Sequence, residues 1–370
     1  MAVFPLKSLS LRSRLTEGGQ IRLSLETEEI RAPERDEVVV QMQAAPVNPT
    51  DLNLLLAGGD PALAVPDGDA INIPLPEALV KLHQRRLNLS IAPGLEGAGV
   101  VIAAGPQSQA LVGETAAVFG GAAFGQHRLA RPEDCIFLGA GFPAAEAASS
   151  FVNPMTALCM VDTMRRYGHS AMIHTAAASS LGRMLERLCE EEGIPLINIL
   201  RSAASRDALL AEGVRYALDS SAPDFHQALA ALVAETDATL AFDAIGGGSL
   251  AGRILAAMEE VYAPPPEAYD IYGSRRLKQV CIYGGLTPGP IEIPRGFGSA
   301  WSVSGWLMMN HLATLPPEKI AGFRRRVRDG IRGVFRTRYV EEITLQDLLN
   351  PARLSDIRRL AGGRKVLLTL

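Results

Sequence analysis

The sequence predicts an α/β chain of two domains, a small glycine-punctuated β-barrel and a doubly wound parallel-sheet (Rossmann) domain. Three observations predict it. At 370 residues the chain exceeds what one ordinary core encloses. Its first third alternates apolar and polar residues with period two between clustered glycines. From Pro143 onward, helical patterns alternate with short apolar strands, as in a parallel sheet whose crossovers are helices.

The elements follow in order. Residues 21–25 alternate as a strand, and Asp36-Glu37 leads into a second strand over 38–42. Residues 58–78, rich in Gly, Pro and Asp, suit a loop, and 77–89 suit a helix carrying Lys81, His83, Arg85 and Arg86. Strands over 97–103 and 115–119 sit among glycines 94, 97, 99, 105, 113, 120, 121 and 125, the punctuation of a small barrel. Residues 144–167 are helical with an interruption expected at Pro154. Strands then alternate with helices: 171–174, 181–192, 195–200, 207–212, 216–218, 225–235, 238–243 and 279–283. After 302–309 a basic helix spans 317–332, and the tail ends in the strand Lys365-Val366-Leu367-Leu368-Thr369. The domains are expected at 1–142, completed by 335–370, and at 143–334.

Composition excludes several functions. A net charge of −4 speaks against a nucleic-acid surface, which concentrates Lys and Arg, and the runs 324–326 and 358–359 read as solvated helix faces. Cys135, Cys159, Cys189 and Cys281 are far apart, with no CxxC pair for a zinc lobe or a dithiol motif. They read as buried free thiols of a reducing compartment. No signal-peptide pattern opens the sequence and no apolar run reaches membrane-spanning length, so a cytoplasmic protein without a membrane partner is expected.

The stretch that carries chemistry is Ala171-Met172-Ile173-His174-Thr175-Ala176-Ala177-Ala178-Ser179-Ser180-Leu181-Gly182. A strand, a turn of small residues and a helix N-terminus form an anion site, because free N–H groups and the helix dipole converge there. Small side chains in the turn let backbone approach a pyrophosphate, and Gly182 permits close helix–strand packing. The following strand ends in Arg201, with Arg206 beyond, where an NAD-preferring fold carries an acid. Two guanidiniums and no carboxylate suit a 2′-phosphate, hence NADPH. His174 reads as a buried histidine beside the turn, with a catalytic group as the alternative.

Three further motifs resemble the medium-chain dehydrogenase/reductase superfamily: Val47-Asn48-Pro49-Thr50-Asp51, Pro93-Gly94-Leu95-Glu96-Gly97-Ala98-Gly99-Val100-Val101 and Phe151-Val152-Asn153-Pro154-Met155-Thr156-Ala157. The resemblance covers nearly the whole chain. It implies a GroES-like catalytic domain joined to a Rossmann domain, with the active site between them. The zinc-dependent branch places Cys at the position of Asn48 and His at that of Leu95, and neither Asn nor Leu supplies thiolate or imidazole. The chain is therefore similar to the zinc-free branch, the quinone oxidoreductases and 2-enoyl thioester reductases.

That branch implies Asn48, Asp51 and Thr156 as catalytic-site residues, with Asn48 and Thr156 approaching the nicotinamide. It implies Ala177, Ala178, Ser179, Ser180, Leu181 and Gly182 at the phosphates, with Asn198, Arg201 and Arg206 after them. It also implies cofactor contacts from Ala244 and Gly246 beside Asp243, from Tyr283, Gly284 and Gly285, and from Lys365 in the tail motif Gly362-Gly363-Arg364-Lys365. The enoyl thioester reductases use a tyrosine proton donor shortly after the Asp51 motif, whereas the first tyrosine here is Tyr167. His83 and Lys81 are alternative donors or plain surface residues. The activity expected is hydride transfer from NADPH to a small-molecule acceptor, a quinone or an α,β-unsaturated carbonyl, without a metal. An enoyl thioester reductase and a non-catalytic NADPH-binding redox sensor are the alternatives. The apolar run 300–309, with both tryptophans, falls where the sheet ends in an edge strand, so a homodimer paired across that edge is expected.

Overall fold

The structure is a computed structural model describing residues 3–287, 289–294, 296–360 and 364–370. The chain divides into two compact units, Met1–Pro154 with Arg324–Leu370, and Met155–Phe323.

The first unit is the barrel. Its strands are β1 (Leu6–Leu15), β2 (Gln20–Ile30), β3 (Val38–Val47), β4 (Val65–Asp67), β5 (Ala70–Pro74), β6 (Ser90–Ile91), β7 (Glu96–Ala104), β8 (Glu114–Phe119), β9 (His127–Ala130) and β10 (Cys135–Ala140). Helices α1 (Pro49–Leu56), α2 (Glu77–Leu82) and α3 (Ala144–Ala147) punctuate them. One sheet runs β4-β5-β2-β1-β6. Residues 58–78, expected as a loop, hold the hairpin β4–β5, which turns at Gly68 (φ +61°) and extends the sheet from β2. The helix expected over 77–89 stops at Leu82, and a short 3-10 turn and β6 follow.

The second unit is the parallel sheet. It comprises α4 (Val152–Arg166), which starts just before the boundary, β11 (Met172–Thr175), α5 (Ser180–Glu191), β12 (Leu196–Leu200), α6 (Ala203–Ala211), β13 (Ala217–Asp219), α7 (Phe225–Thr236), β14 (Leu240–Asp243) and α8 (Leu250–Tyr262). β15 (Lys278–Ile282), β16 (Trp301–Gly305), α9 (Met308–Leu312) and α10 (Pro317–Gly330) complete it. Strand order is β13-β12-β11-β14-β15-β16, every pair parallel. The order reverses direction between β11 and β14, where open α/β sheets bind their ligands at the C-terminal strand ends. Ile173, Ile197, Ile199, Ala241 and Val280 face the core formed with α7 and α8. Beneath it Lys278 is fully buried, its Nζ 2.6 Å from Glu259 Oε2. Glu259 Oε1 also accepts the Ser274 N–H at 2.7 Å.

The chain then returns to the barrel with β17 (Tyr339–Ile343), α11 (Pro351–Leu360) and β18 (Lys365–Thr369). The second barrel sheet runs β10-β8-β7-β3-β18-β17, with β9 also paired to β3. Leu52, Leu55, Val101, Leu354, Ile357, Val366 and Leu368 pack in the barrel core. The break between α3 and α4 falls at residues 148–151 and not at Pro154, which occupies the first turn of α4 where no intrahelical N–H is missed. Because Ala144, Ala147 and Ala148 pack on Ala44, Ala98 and Leu367, α3 belongs with the barrel, and the units part at 154/155 and 323/324 in place of 142/143 and 334/335. All four cysteines are buried and free.

Candidate active site

In the second unit, β11 hands over to α5 through a tight turn. Ala176 adopts φ +56°, a left-handed conformation that reverses the chain directly after the strand. Ser179 then caps α5, its Oγ accepting the Gly182 N–H at 3.1 Å. A Cβ on Gly182 would stand 2.3 Å from the Ala177 carbonyl oxygen, so only glycine lets α5 lie this close to the turn. Among the described residues, the N–H groups of Ala178, Ser180 and Leu181 have no acceptor. With the dipole of α5 behind them, they make a cradle for a phosphate group.

The neighbouring strand ends complete the rim. Asp243 is buried at the end of β14, accepting from Thr175 Oγ1 (2.8 Å) and from the N–H of Ile245 (2.9 Å) and Gly246 (3.3 Å). Thr175 Oγ1 in turn accepts the Ala244 N–H at 2.8 Å, tying β11 to the loop after β14. That loop and the one after β15 touch backbone to backbone. A Cβ on Gly246 would meet the Gly284 oxygen at 2.3 Å, and one on Gly284 the Ala244 oxygen at 2.5 Å. Tyr283 joins them, its hydroxyl 2.7 Å from His174 Nε2. Burial pushes the His174 pKa down to about 3 and that of the Tyr283 phenol upward, so both are neutral. His174 is wholly buried and braces β11 against the loop after β15, which answers the choice between catalytic and structural readings in favour of structure.

Arg201 is exposed at the end of β12 and has no partner among the described residues. Arg206, in the second turn of α6, pairs with Asp207 at 2.8 Å. Asn198 stands apart from them. It lies mid-strand, opposite His174, fully buried beneath α5, with Nδ2 2.6 Å from Glu186 Oε2. There it links β12 to α5. Thr156 is buried in α4, its Oγ1 donating to Met308 Sδ at 3.4 Å.

The barrel gathers the other residues. Asn48 precedes α1, and Asp51 in the first turn of that helix reaches back, its Oδ2 accepting the Asn48 N–H at 2.9 Å. Asp51 Oδ1 accepts the Leu95 N–H at 2.8 Å. Asp51 thus pins positions 48 and 95, where the zinc-dependent branch keeps ligands, and it is itself wholly buried. Burial raises its pKa to about 6 against the pull of those two N–H groups. Glu96, at the start of β7, gives Oε1 to Asn48 Nδ2 at 3.3 Å and Oε2 to the N–H groups of Phe151 (3.1 Å) and Val152 (2.8 Å) at the head of α4. Lys365 opens β18 and hydrogen-bonds Asn48 Oδ1. It is buried, not solvated, and the charges of Glu96 and Asp51 favour its ammonium form. Burial lowers the Lys365 pKa and raises that of Glu96.

Glu96 escaped the sequence reading, although an acid between Leu95 and Gly97 in a small-residue strand was a signal. Lys81 is exposed and paired with Glu77 at 2.6 Å, and His83 ends α2. Gly362 and Gly363 of the tail motif lie outside the described residues. Among the described residues no group of His, Cys, Asp and Glu is arranged to hold a metal ion, and no helix is long and apolar enough to cross a membrane.

The residues present suit a dinucleotide with a 2′-phosphate. Three unspent N–H groups and a glycine-tight approach meet a pyrophosphate, and an exposed, unpaired guanidinium stands where an acid would read a ribose hydroxyl.

No family model matches the chain. Its sequence is 31% identical to the human synaptic vesicle membrane protein VAT-1 homolog over 151 residues, 39% of this chain and 37% of that protein. It is 26% identical to the mitochondrial enoyl-[acyl-carrier-protein] reductase of Caenorhabditis elegans over 194 residues, 50% of this chain and 48% of that protein. The chain thus spans less than half the length of the curated relatives it matches. Its fold aligns with a putative NADPH:quinone reductase from Mesorhizobium loti over 100% of both chains, at TM-score 0.74 and 21% identity. It also aligns with the Etr1p/NADP/crotonyl-CoA complex over 99% of this chain and 100% of the other, at TM-score 0.68 and 16% identity. The chain has the fold of the NADPH:quinone reductase and Etr1p structures it aligns with, an antiparallel-sheet unit and a parallel-sheet unit.

Proposed function

We propose that the chain is an NADPH-dependent oxidoreductase that reduces a quinone or an α,β-unsaturated carbonyl acceptor without zinc. The observation that carries this reading is the cradle at 177–182, with N–H groups unspent among the described residues, beside an Arg201 that has no partner among them and no acid at the end of β12. When bound, NADPH supplies the hydride. The N–H groups of Ala178, Ser180 and Leu181 hold the pyrophosphate, and Arg201 with Arg206 meets the 2′-phosphate. The loops at 244–246 and 283–285 border the rest of the dinucleotide. Asn48, whose amide is held from both sides, is assigned to bind the acceptor.

The comparisons support the same class, since one similar structure is named for NADPH and quinone and another holds NADP with crotonyl-CoA. Enoyl thioester reduction is the second reading, favoured by the likeness of the turn Ser179-Ser180-Leu181-Gly182. Against it, no tyrosine precedes Tyr167 to protonate the product carbon, whereas a reduced quinone takes its protons from water. Oxidation of NADPH, followed by absorbance against a panel of quinones, enones and enoyl thioesters, tests the assignment. Turnover of quinones or enones is expected. Turnover confined to thioesters selects the second reading. Tight NADPH binding with no turnover makes the chain a binding protein.

A further inference from the structure

Asn48 is a buried amide with one donor unspent. Its side chain accepts from Lys365 at Oδ1 and donates one Nδ2 hydrogen to Glu96 Oε1. A primary amide has a second N–H, which finds no acceptor among the described residues although Asn48 is only 4% exposed. A buried N–H left unpaired is costly, so its persistence marks a place for a ligand atom that accepts.

The two neighbours also decide which way the amide points. An ammonium only donates and a carboxylate only accepts. Turning the amide over would set its NH2 against Lys365 and its oxygen against Glu96, losing both bonds and replacing them with repulsions. Each neighbour is itself fixed. Glu96 Oε2 is held by the Phe151 and Val152 N–H groups, and Lys365 precedes Val366, which pairs with Val47, the residue before Asn48. Three distant stretches of sequence therefore converge on one side-chain orientation.

We propose that Lys365 and Glu96 are positioning residues that lock the Asn48 amide so that its free N–H meets the carbonyl oxygen of the acceptor. This rests on the reductase reading above. As a conjugated carbonyl takes a hydride on carbon from NADPH, its π electrons shift and that oxygen gains negative charge. NADP+ is released, and a proton from water completes the reduced product. An N–H fixed in advance stabilises the charged oxygen without reorganising as the reaction proceeds.

The test combines kinetics with a signal independent of turnover. Asn48→Ala should lower kcat by roughly 10²-fold, the loss of one oxyanion donor. Lys365→Met and Glu96→Gln should each lower kcat by on the order of 10-fold or more, through misplacement of that donor. NADPH affinity by fluorescence should stay unchanged in all three. In the Asn48→Ala background, Lys365→Met should cost less than about twofold more, because the two residues act as one unit. Lys365→Arg, which keeps the cation, should restore most of kcat and guards against a variant that simply misfolds. Without any substrate, the Asn48 side-chain 15N–1H signals should shift in Lys365→Met and Glu96→Gln, while those of Asn350 stay in place. Additive losses, unmoved Asn48 signals, or no recovery with a folded Lys365→Arg would each overturn the proposal. Absence of turnover in the unmodified protein would defeat the reductase reading and the oxygen contact together, and the amide signals would then judge the lock alone.

Discussion

Replacing Gly182 with Ala adds a single methyl group at the tightest backbone contact in the proposed phosphate site. The new Cβ would stand 2.3 Å from the Ala177 oxygen and 2.7 Å from its carbonyl carbon. Ordinary contact begins at 3.4 Å, so the helix or the turn must retreat by about 1.1 Å (3.4 − 2.3). No flexible side chain can absorb the move, since the obstacle is backbone, and α5 is already committed to the core through Leu181, Met184, Leu185, Leu188 and Cys189. Overpacking of this kind costs about 1–3 kcal/mol. Ala returns about 1 kcal/mol of helix propensity, leaving a net loss of roughly 0–2 kcal/mol. The effect on binding should be larger. The shift pulls Ser180 and Leu181 away from Ala178, so the cradle loses at least one charge-assisted hydrogen bond, worth about 1.5–3 kcal/mol. That converts to a rise of about tenfold or more in the NADPH Kd. Fluorescence titration and a thermal melt measure the two effects. If Gly182→Ala bound NADPH as tightly as the parent and melted at the same temperature, the cradle would not be where the phosphates sit.

Four further outcomes are expected. Arg201→Ala with Arg206→Ala should weaken NADPH far more than NADH, by about 1.5–3 kcal/mol for each charge-assisted bond lost; equal losses in isothermal titration would show that the arginines do not read the 2′-phosphate. Lys278→Met strands the buried Glu259 carboxylate and should cost about 3–5 kcal/mol in denaturant unfolding, with much of it recovered by adding Glu259→Gln, and a loss below about 1 kcal/mol would refute the buried-pair argument. Asp51 has a folded pKa raised to about 6 from an ordinary 3.8, so the folded chain holds the extra proton between those values and its contribution to stability declines as pH rises from about 4 to 6. Asp51→Asn should remove that slope in unfolding curves, and an unchanged slope would place the titration elsewhere. Pairing of the edge strand β16 with its copy is proposed to give a dimer, so light scattering at micromolar concentration should report one that Val303→Lys disrupts, and a monomeric parent protein would reject it.

How far the sequence was legible depends on how local each signal is. β3, β18 and the turn from His174 to Gly182 were readable because alternation and small-residue spacing are properties of adjacent residues. The hairpin β4–β5 was not, since Pro66, Gly68 and Asp69 signal a turn while the strands on either side are only three and five residues long. Pro154 misled for a related reason, because a proline tolerated in a first turn and one that breaks a helix look alike. What starts α4 is the Glu96 carboxylate, 55 residues upstream, taking the N–H groups of Phe151 and Val152. The same holds at the site. The family resemblance pointed to Asn48 and Asp51, but the partners of Asn48 come from positions 96 and 365, and only the folded barrel brings them together.

The position of β18 has a consequence for how the chain is made. It lies between β3 and β17 in the barrel sheet, paired in register from Val47↔Val366 to Ala44↔Thr369. During synthesis β3 leaves the ribosome more than three hundred residues before its partner, and the whole parallel sheet is translated in between. At 5–20 residues per second that is on the order of 15–60 s in which residues 44–47 of β3 lack the strand that pairs with them. The nascent barrel therefore carries an exposed pairing edge that invites mispairing with neighbouring chains. A chaperone that shields β-edges should raise the yield of this protein more than its final stability would suggest, and a circular permutant in which residues 339–370 are translated first should depend on such help far less.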